Sequence, residues 1–185
     1  MTTTTHHDRR VASADGSEVL VFLETAAETD GARTSLRADL APGSGTPLHT
    51  HGSYGEDFEV LEGTLRVVVD GRTLDLGPGE RAFVPIGAVH RFVNATTDPV
   101  RFRCALLPAS RGFEEGQQIA AGLEAEGRMR GDLPRDPRHL GLLMELTDSA
   151  LAGPGRVINP LLRLTGAVGR RQGLLEDLRE RHVRW

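Results

Sequence analysis

Over the first hundred residues, apolar and polar positions alternate in short runs broken by glycine and proline. The stretch from Ala32 to Leu40 is the clearest. Thr34, Leu36, Ala38 and Leu40 fall on one side, and Arg33, Arg37 and Asp39 on the other, which is the period of a half-buried strand. Glu18 to Glu24 is a short apolar run after an Asp15-Gly16 turn, and reads as another strand. Leu65 to Val69 and Arg72 to Leu76 flank Asp70-Gly71, the strongest short signal for a hairpin. Gly77-Pro78-Gly79 turns into Arg81 to Val84, and Pro85-Ile86-Gly87 delivers His90 at the start of its strand. Val100 to Leu107 completes the set. Short strands with turn signals about every 8–12 residues predict a sandwich or barrel.

Near Pro108 the period changes. Phe113 to Arg130 is a charged helix candidate interrupted by glycine. Asp136-Pro137 and Asn159-Pro160 repeat one device, a capping side chain followed by proline at the first helical position. The first opens a predicted helix with Leu140, Leu143, Met144, Thr147 and Leu151 on one stripe, ending at Gly153-Pro154-Gly155. The second opens a shorter one through Leu161, Leu162, Leu164 and Val168, and a last helix carries Leu174, Leu175, Leu178, His182 and Trp185. None has the roughly 20 apolar residues of a membrane span. The expected organisation is a mobile tail over 1–16, a β-barrel over 17–108 and an α-helical extension over 109–185.

Composition removes some classes of function. The formal net charge of −4 over 185 residues gives nucleic acid no basic surface to bind. All basic residues are arginine. The single Cys104 has no internal disulfide partner, which fits a reducing compartment, and its place in an apolar run reads as buried filler. The start, Met1 to Arg10, lacks an apolar signal core, so the expected location is cytoplasmic. His6 and His7 belong to the tail.

Candidate chemistry sits in two blocks. The first runs from Gly43 through His49-Thr50-His51 to Glu56 and Gly63, and the second from Gly79 through Pro85, Gly87 and His90 to Asn94. Three imidazoles and a carboxylate suit a divalent first-row transition metal. His49 and His51 are two apart and leave one face of a strand. Glu56, Phe58 and Val60 share a face of the next strand, and so do His90, Phe92 and Asn94 of a third. If these faces line one barrel, His49, His51, Glu56 and His90 converge. Asp57 and Glu59 point to the opposite face from Glu56 and stay outside the site, as does Glu62 in the turn before Gly63.

At these residues the chain resembles the cupin superfamily. Gly43, His49, His51, Glu56 and Gly63 fall on the fixed positions of that family's first motif, and Gly79, Pro85, Gly87, His90 and Asn94 on those of its second. The resemblance covers about Glu18 to Leu107. It implies a mainly β fold, a double-stranded β-helix of the jelly-roll kind, here followed by the helical extension. It also implies one metal bound by His49, His51, Glu56 and His90, its identity open among iron, manganese, nickel, copper, cobalt and zinc, and a homodimer.

Family members with this ligand set include dioxygenases, isomerases, decarboxylases and hydrolases, so two functions are carried forward. One is a metal-dependent, oxygenase-like enzyme acting on a small organic molecule, with Glu56 completing the coordination sphere or acting as base. The other is a non-catalytic binding or regulatory module with a structural or ligand-holding metal. Phe58, Val60, Phe83, Phe92 and Phe102 are candidates for apolar pocket walls or plain core. Arg66, Arg101 and Arg103 alternate with apolar residues, which places them on an outer face. Three roles are open for the extension: packing on the barrel wall or a partner, attachment to a membrane surface through Val157 to Arg171, or a lid over the barrel mouth.

Overall fold

Alternation over Thr34–Leu40 buries every second side chain against one layer and leaves the rest to solvent, and ten strands repeat this before the helices begin. In the computed structural model, which describes residues 9–131 and 133–185, these are β1 (Arg10–Ala12), β2 (Glu18–Glu24), β3 (Thr34–Leu40), β4 (His49–His51), β5 (Gly55–Glu62), β6 (Leu65–Val69), β7 (Arg72–Leu76), β8 (Arg81–Val84), β9 (His90–Val93) and β10 (Val100–Leu107). Then come α1 (Arg111–Ala125), the short pair β11 (Met129–Arg130) and β12 (Leu133–Pro134), α2 (Pro137–Leu146), β13 (Ser149–Leu151), α3 (Asn159–Arg171) and α4 (Leu174–His182). One antiparallel sheet has the order β1-β2-β3-β10-β5-β8, and a second runs β13-β4-β9-β6-β7. Their facing sides enclose Phe22, Phe58, Leu65, Val67, Phe102 and Leu106, all at or near zero exposure. This is a double-stranded β-helix.

The expected hairpin at Asp70-Gly71 forms, with Val69 opposite Arg72 and both turn residues at positive φ. The N-terminal expectation is corrected in its described part, because Arg10–Ala12 pairs antiparallel with Val19–Val21 and Arg9 is held by Glu28 at 2.6 Å. His6 and His7 lie outside the described residues.

Two of the helices are capped by side chains at their N-termini. Ser110 Oγ accepts from Phe113 N and starts α1; Asp136 Oδ1 accepts from Arg138 N and starts α2. Three expectations fail. The helix expected to reach Arg130 stops at Ala125, and the chain reverses through Gly127 at φ 69. The helix expected to reach Leu151 stops at Leu146, where the Thr147 hydroxyl bonds back to Leu143 O and Asp148 adopts φ 45. Asn159 is not a cap: it lies inside α3, and its side-chain amide brackets Leu151, accepting from its N–H and donating to its carbonyl.

A second apolar cluster of Ile119, Leu123, Leu142, Leu175 and Leu178 holds the helices together. Trp185 carries them onto the barrel, its ring 4.8 Å from that of Phe22. Of the apolar residues expected along α3, Leu162 is buried, while Leu161, Leu164 and Val168 stay exposed, as do Val157 and Ile158 before it. The buried face of that helix is Leu162, Gly166 and Gly169.

His139 on α2 is 3% exposed, and neither ring nitrogen has a hydrogen-bond partner among the described residues. Burial disfavours its charged form, with Asp136 opposing and Arg128, Arg138 and Arg181 reinforcing, and the net direction is down from 6.5. A histidine with a depressed folded pKa stabilises the fold above its ordinary pKa and loses that contribution as pH falls below it. The urea midpoint is therefore expected to drop between pH 7 and 5. His139→Leu is expected to flatten that drop and to raise the midpoint at pH 7, by about 1 kcal/mol, since an unsatisfied polar group is replaced by an apolar one. An unchanged pH profile in the variant would remove His139 from the account.

Candidate metal centre

Strand geometry brings four side chains to one point. Both rings of β4 face inward while Thr50 between them does not. Glu56 on β5 lies opposite Val84 and Leu106, and His90 on β9 lies directly opposite His49. The turn that delivers His90 depends on Gly87, whose φ of 80 suits glycine and whose N–H donates to His51 O at 2.8 Å. Asn94, at the end of the second block, is not part of the site. It is fully buried and clamps the loop that follows, donating to Leu40 O and Asp98 O and accepting from Thr96.

One ligand atom from each of His49, His51, Glu56 and His90 lies within 4.8 Å of all the others. His49 Nε2 is 3.1 Å from His51 Nε2, and His90 Nε2 is 3.0 Å from Glu56 Oε2. His51 Nε2 is 3.7 Å from Glu56 Oε1. Metal–ligand bonds of about 2.1 Å set neighbouring octahedral ligands about 3.0 Å apart, so the cluster already has the size a transition ion requires.

The outward nitrogens fix which lone pairs face inward. Nδ1 of His49 donates to Pro47 O at 2.8 Å, and Nδ1 of His90 to Ala88 O at 3.0 Å. Nδ1 of His51 reaches Thr147 O and Ser149 Oγ, each at 3.2 Å. With Nδ1 donating outward, Nε2 of His49 and His51 each presents a lone pair to the centre, while Nε2 of His90 faces Glu56. Two such lone pairs 3.1 Å apart, beside a carboxylate, repel unless a cation sits among them. The group is compatible with a metal ion.

Burial is the largest influence on these groups, and it sorts them. It pushes His49 down to about 4, aided by the neighbouring His90 and His51. It lowers His51 as well, against the pull of Glu56. Burial also opposes charge on His90 and Glu56, but their mutual hydrogen bond and attraction outweigh it: His90 is held above its usual value and Glu56 below. Charge in the site is thus disfavoured on His49 and His51 and favoured on the His90–Glu56 pair.

Inside the centre, the barrel opens into a cavity of about 240 Å³. Its barrel walls include Leu20, Leu36, Phe58, Phe92, Phe102 and Cys104, and the extension adds Phe113, Gln117, Met144, Thr147, Ser149 and Leu151. Phe58, Phe92 and Phe102 thus line the pocket as anticipated. Val60 is plain core, and Phe83 is corrected to the outer face at 56% exposed. Cys104 is buried and its thiol is pushed up by desolvation, as filler requires. Asp57 and Glu59 pair outside with Arg81 and Arg103, and Glu62 with Arg101. Arg66 pairs with Asp75. His139 and His182 belong to the helical cluster, away from the site.

Sequence reasoning missed the outer support of His51. Ser149–Leu151 adds a strand to β4, with Ser149 opposite His51 and Leu151 opposite His49. Tyr54 stacks on the His51 ring at 4.3 Å and donates from its hydroxyl to Thr147 O at 2.8 Å. In the sequence Tyr54 reads as a partly exposed loop aromatic between His51 and Glu56, which the structure corrects to 1% exposed, and the stripe through Thr147 and Leu151 suggests a helix.

The fold and site define a β-barrel whose mouth carries a metal-compatible His-His-Glu-His group. A family model described as the Cupin domain matches residues 36–106, a segment that lies within this barrel. Over 64 residues it is 33% identical to mannose-1-phosphate guanylyltransferase ManC of Salmonella typhimurium, which covers 35% of this chain and 13% of that enzyme. Over 79 residues it is 28% identical to an uncharacterized protein of Methanocaldococcus jannaschii, covering 42% of this chain and 63% of the other. The matches therefore span less than two thirds of those relatives' lengths. An RmlC-like cupin from Shewanella frigidimarina superposes with a TM-score of 0.51 at 20% identity, over 61% of this chain and 96% of that one; this likeness concerns the fold. No helix among the described residues is long and apolar enough to cross a membrane.

Proposed function

We propose that this protein binds one divalent transition metal through Nε2 of His49, His51 and His90 and the carboxylate of Glu56, and uses it as a metal-dependent, oxygenase-like enzyme on a small organic molecule. The observation that carries the metal is the inward convergence of three Nε2 atoms and a carboxylate, each imidazole oriented by a contact from its Nδ1. The bound ion supplies Lewis acidity and open coordination positions beside the cavity. The chain's own groups do the rest. The apolar walls exclude water and hold the substrate's body, Thr147 O and Ser149 orient His51, and the Glu56 carboxylate would complete the metal's ligand set or accept and return a proton.

The reading is tested by elemental analysis of protein purified without a polyhistidine tag, followed by oxygen-uptake screening. Near one equivalent of iron, manganese, nickel or copper supports it. Zinc alone favours the structural or ligand-holding alternative, and failure to take up any metal on reconstitution removes the metal altogether.

Two further results are expected. Metal would displace any proton shared by His90 and Glu56, so binding should be accompanied by proton release. Affinity should rise with pH until His90 is deprotonated and then level, because its folded pKa lies above 6.5. Calorimetric titration in buffers of different ionisation heat reads both, and a proton count of zero contradicts the charge assignment. Ser149→Ala is expected to weaken metal binding about tenfold, the low end for an outer hydrogen-bond partner, since Thr147 O still accepts from His51. Unaltered affinity would show that the extension does not steer His51.

A further inference from the structure

The cavity beside the centre has a chemical bias. Its lining combines aromatic rings (Phe58, Phe92, Phe102, Phe113) with aliphatic side chains from both barrel and extension. Among the described lining residues the polar groups include hydroxyls, the Gln117 amide, imidazoles and the carboxylates of Glu18 and Glu56, and none is an arginine; the chain has no lysine. Several arginines of the barrel strands are engaged outside it, Arg66 with Asp75, Arg81 with Asp57 and Arg101 with Asp39 and Glu62. An anionic ligand would have the metal alone to neutralise it and would leave any second charge in apolar surroundings beside carboxylates, an expensive arrangement. Size narrows the choice further. A dry cavity of about 150 Å³ accommodates benzene, so about 240 Å³ admits one ring with a small substituent.

Resting on the metal reading above, we propose that this chamber takes an uncharged, single-ring or similarly compact apolar molecule carrying one oxygen or nitrogen donor for the metal, phenol being the simplest example. Dicarboxylates and sugar phosphates are excluded. The helical extension sets this preference: Phe113, Gln117, Met144 and Leu151 form the wall that a barrel alone would leave open.

The test uses the full chain, both metal-loaded and chelator-treated, with 4-fluorophenol, 4-fluorobenzoate, oxalate and mannose 1-phosphate as probes. Binding is read by fluorine NMR for the two aromatics and by calorimetry for all four. Saturable 4-fluorophenol binding at least about tenfold tighter than that of the three anions is expected in the loaded protein, persisting more weakly without metal. Met144→Trp should abolish it by filling the cavity. Gln117→Arg should bring 4-fluorobenzoate to within reach of 4-fluorophenol by supplying the missing cation, and it serves if the bulkier variant fails to fold. Absence of aromatic binding in both states overturns the proposal, as does preferential binding of oxalate or mannose 1-phosphate. If no metal is taken up but the chelator-treated protein still binds 4-fluorophenol, the metal reading fails and the chamber assignment survives.

Discussion

His90→Ala is expected to abolish metal binding and also to destabilise the metal-free protein by about 3–5 kcal/mol, the range for removing one partner of a buried ion pair. The second effect follows from Glu56. Its carboxylate is 4% exposed, and the nearest compensating group is His90 Nε2 at 3.0 Å, with His51 Nε2 farther away at 3.7 Å. Alanine at position 90 strands that carboxylate. His51 resists protonation because burial holds its pKa down, so it is a poor substitute. For a chain of this size the loss corresponds to a fall in Tm of roughly 6–20 °C. His49→Ala provides the contrast. It removes a ligand that is already neutral near pH 7, with its pKa at about 4, and so should lose the metal while sparing the metal-free fold the stranded charge. Elemental analysis paired with thermal unfolding in chelator separates the two. Equal destabilisation by the two variants would show that the His90–Glu56 pair carries no special weight.

Where burial follows a strict local period, the architecture was readable from the sequence. Thr34, Leu36, Ala38 and Leu40 alternate, and all four are buried. Asp70-Gly71 requires a tight turn and makes one. The convergence of these four side chains was readable because two strand positions of equal parity, His49 and His51, and two turn-defined strand starts, Glu56 and His90, leave little freedom in where they point. The extension was not readable, for two physical reasons. Ser149–Leu151 is too short to display a strand period, and its partner β4 lies about a hundred positions earlier, so pairing is fixed by tertiary contact that no local window contains. Thr147 and Leu151 also fit the helical stripe of α2, and only the back-bonding of Thr147 and the left-handed Asp148 end that helix. Of the roles considered for the extension, the structure gives it a share in the barrel itself, with α1, α2 and β13 walling the cavity. The buried face of α3 was not readable for a related reason. Its leucines mark a helix correctly, but beside Leu162 the buried contact is made by glycines, which hydrophobic patterning cannot see.

That glycine contact gives the largest expected effect on stability away from the metal. At Gly141 on α2, an added Cβ would lie 2.8 Å from the Cα of Gly166 and still closer to the backbone of Leu162 and Gly166. The opposing atoms are main chain, so no rotamer change relieves the overlap. Gly141→Ala must push α2 and α3 apart, and is expected to lose about 1–3 kcal/mol or more, a Tm drop of roughly 2–12 °C. Leu164→Ala, at a position 61% exposed on the outer face of α3, should change stability by less than about 0.5 kcal/mol, although a residue scale would rank it the more severe change. The separation has a consequence at the centre. Gly141 lies one and a half turns before Thr147, whose carbonyl accepts from both Tyr54 and His51. Displacing α2 loosens that anchor, so Gly141→Ala should weaken metal binding even in the fraction that remains folded. Thermal unfolding and metal titration below the transition measure the two effects separately. A variant that loses stability but binds metal with unaltered affinity would show that the helical layer braces the barrel without tuning its ligands.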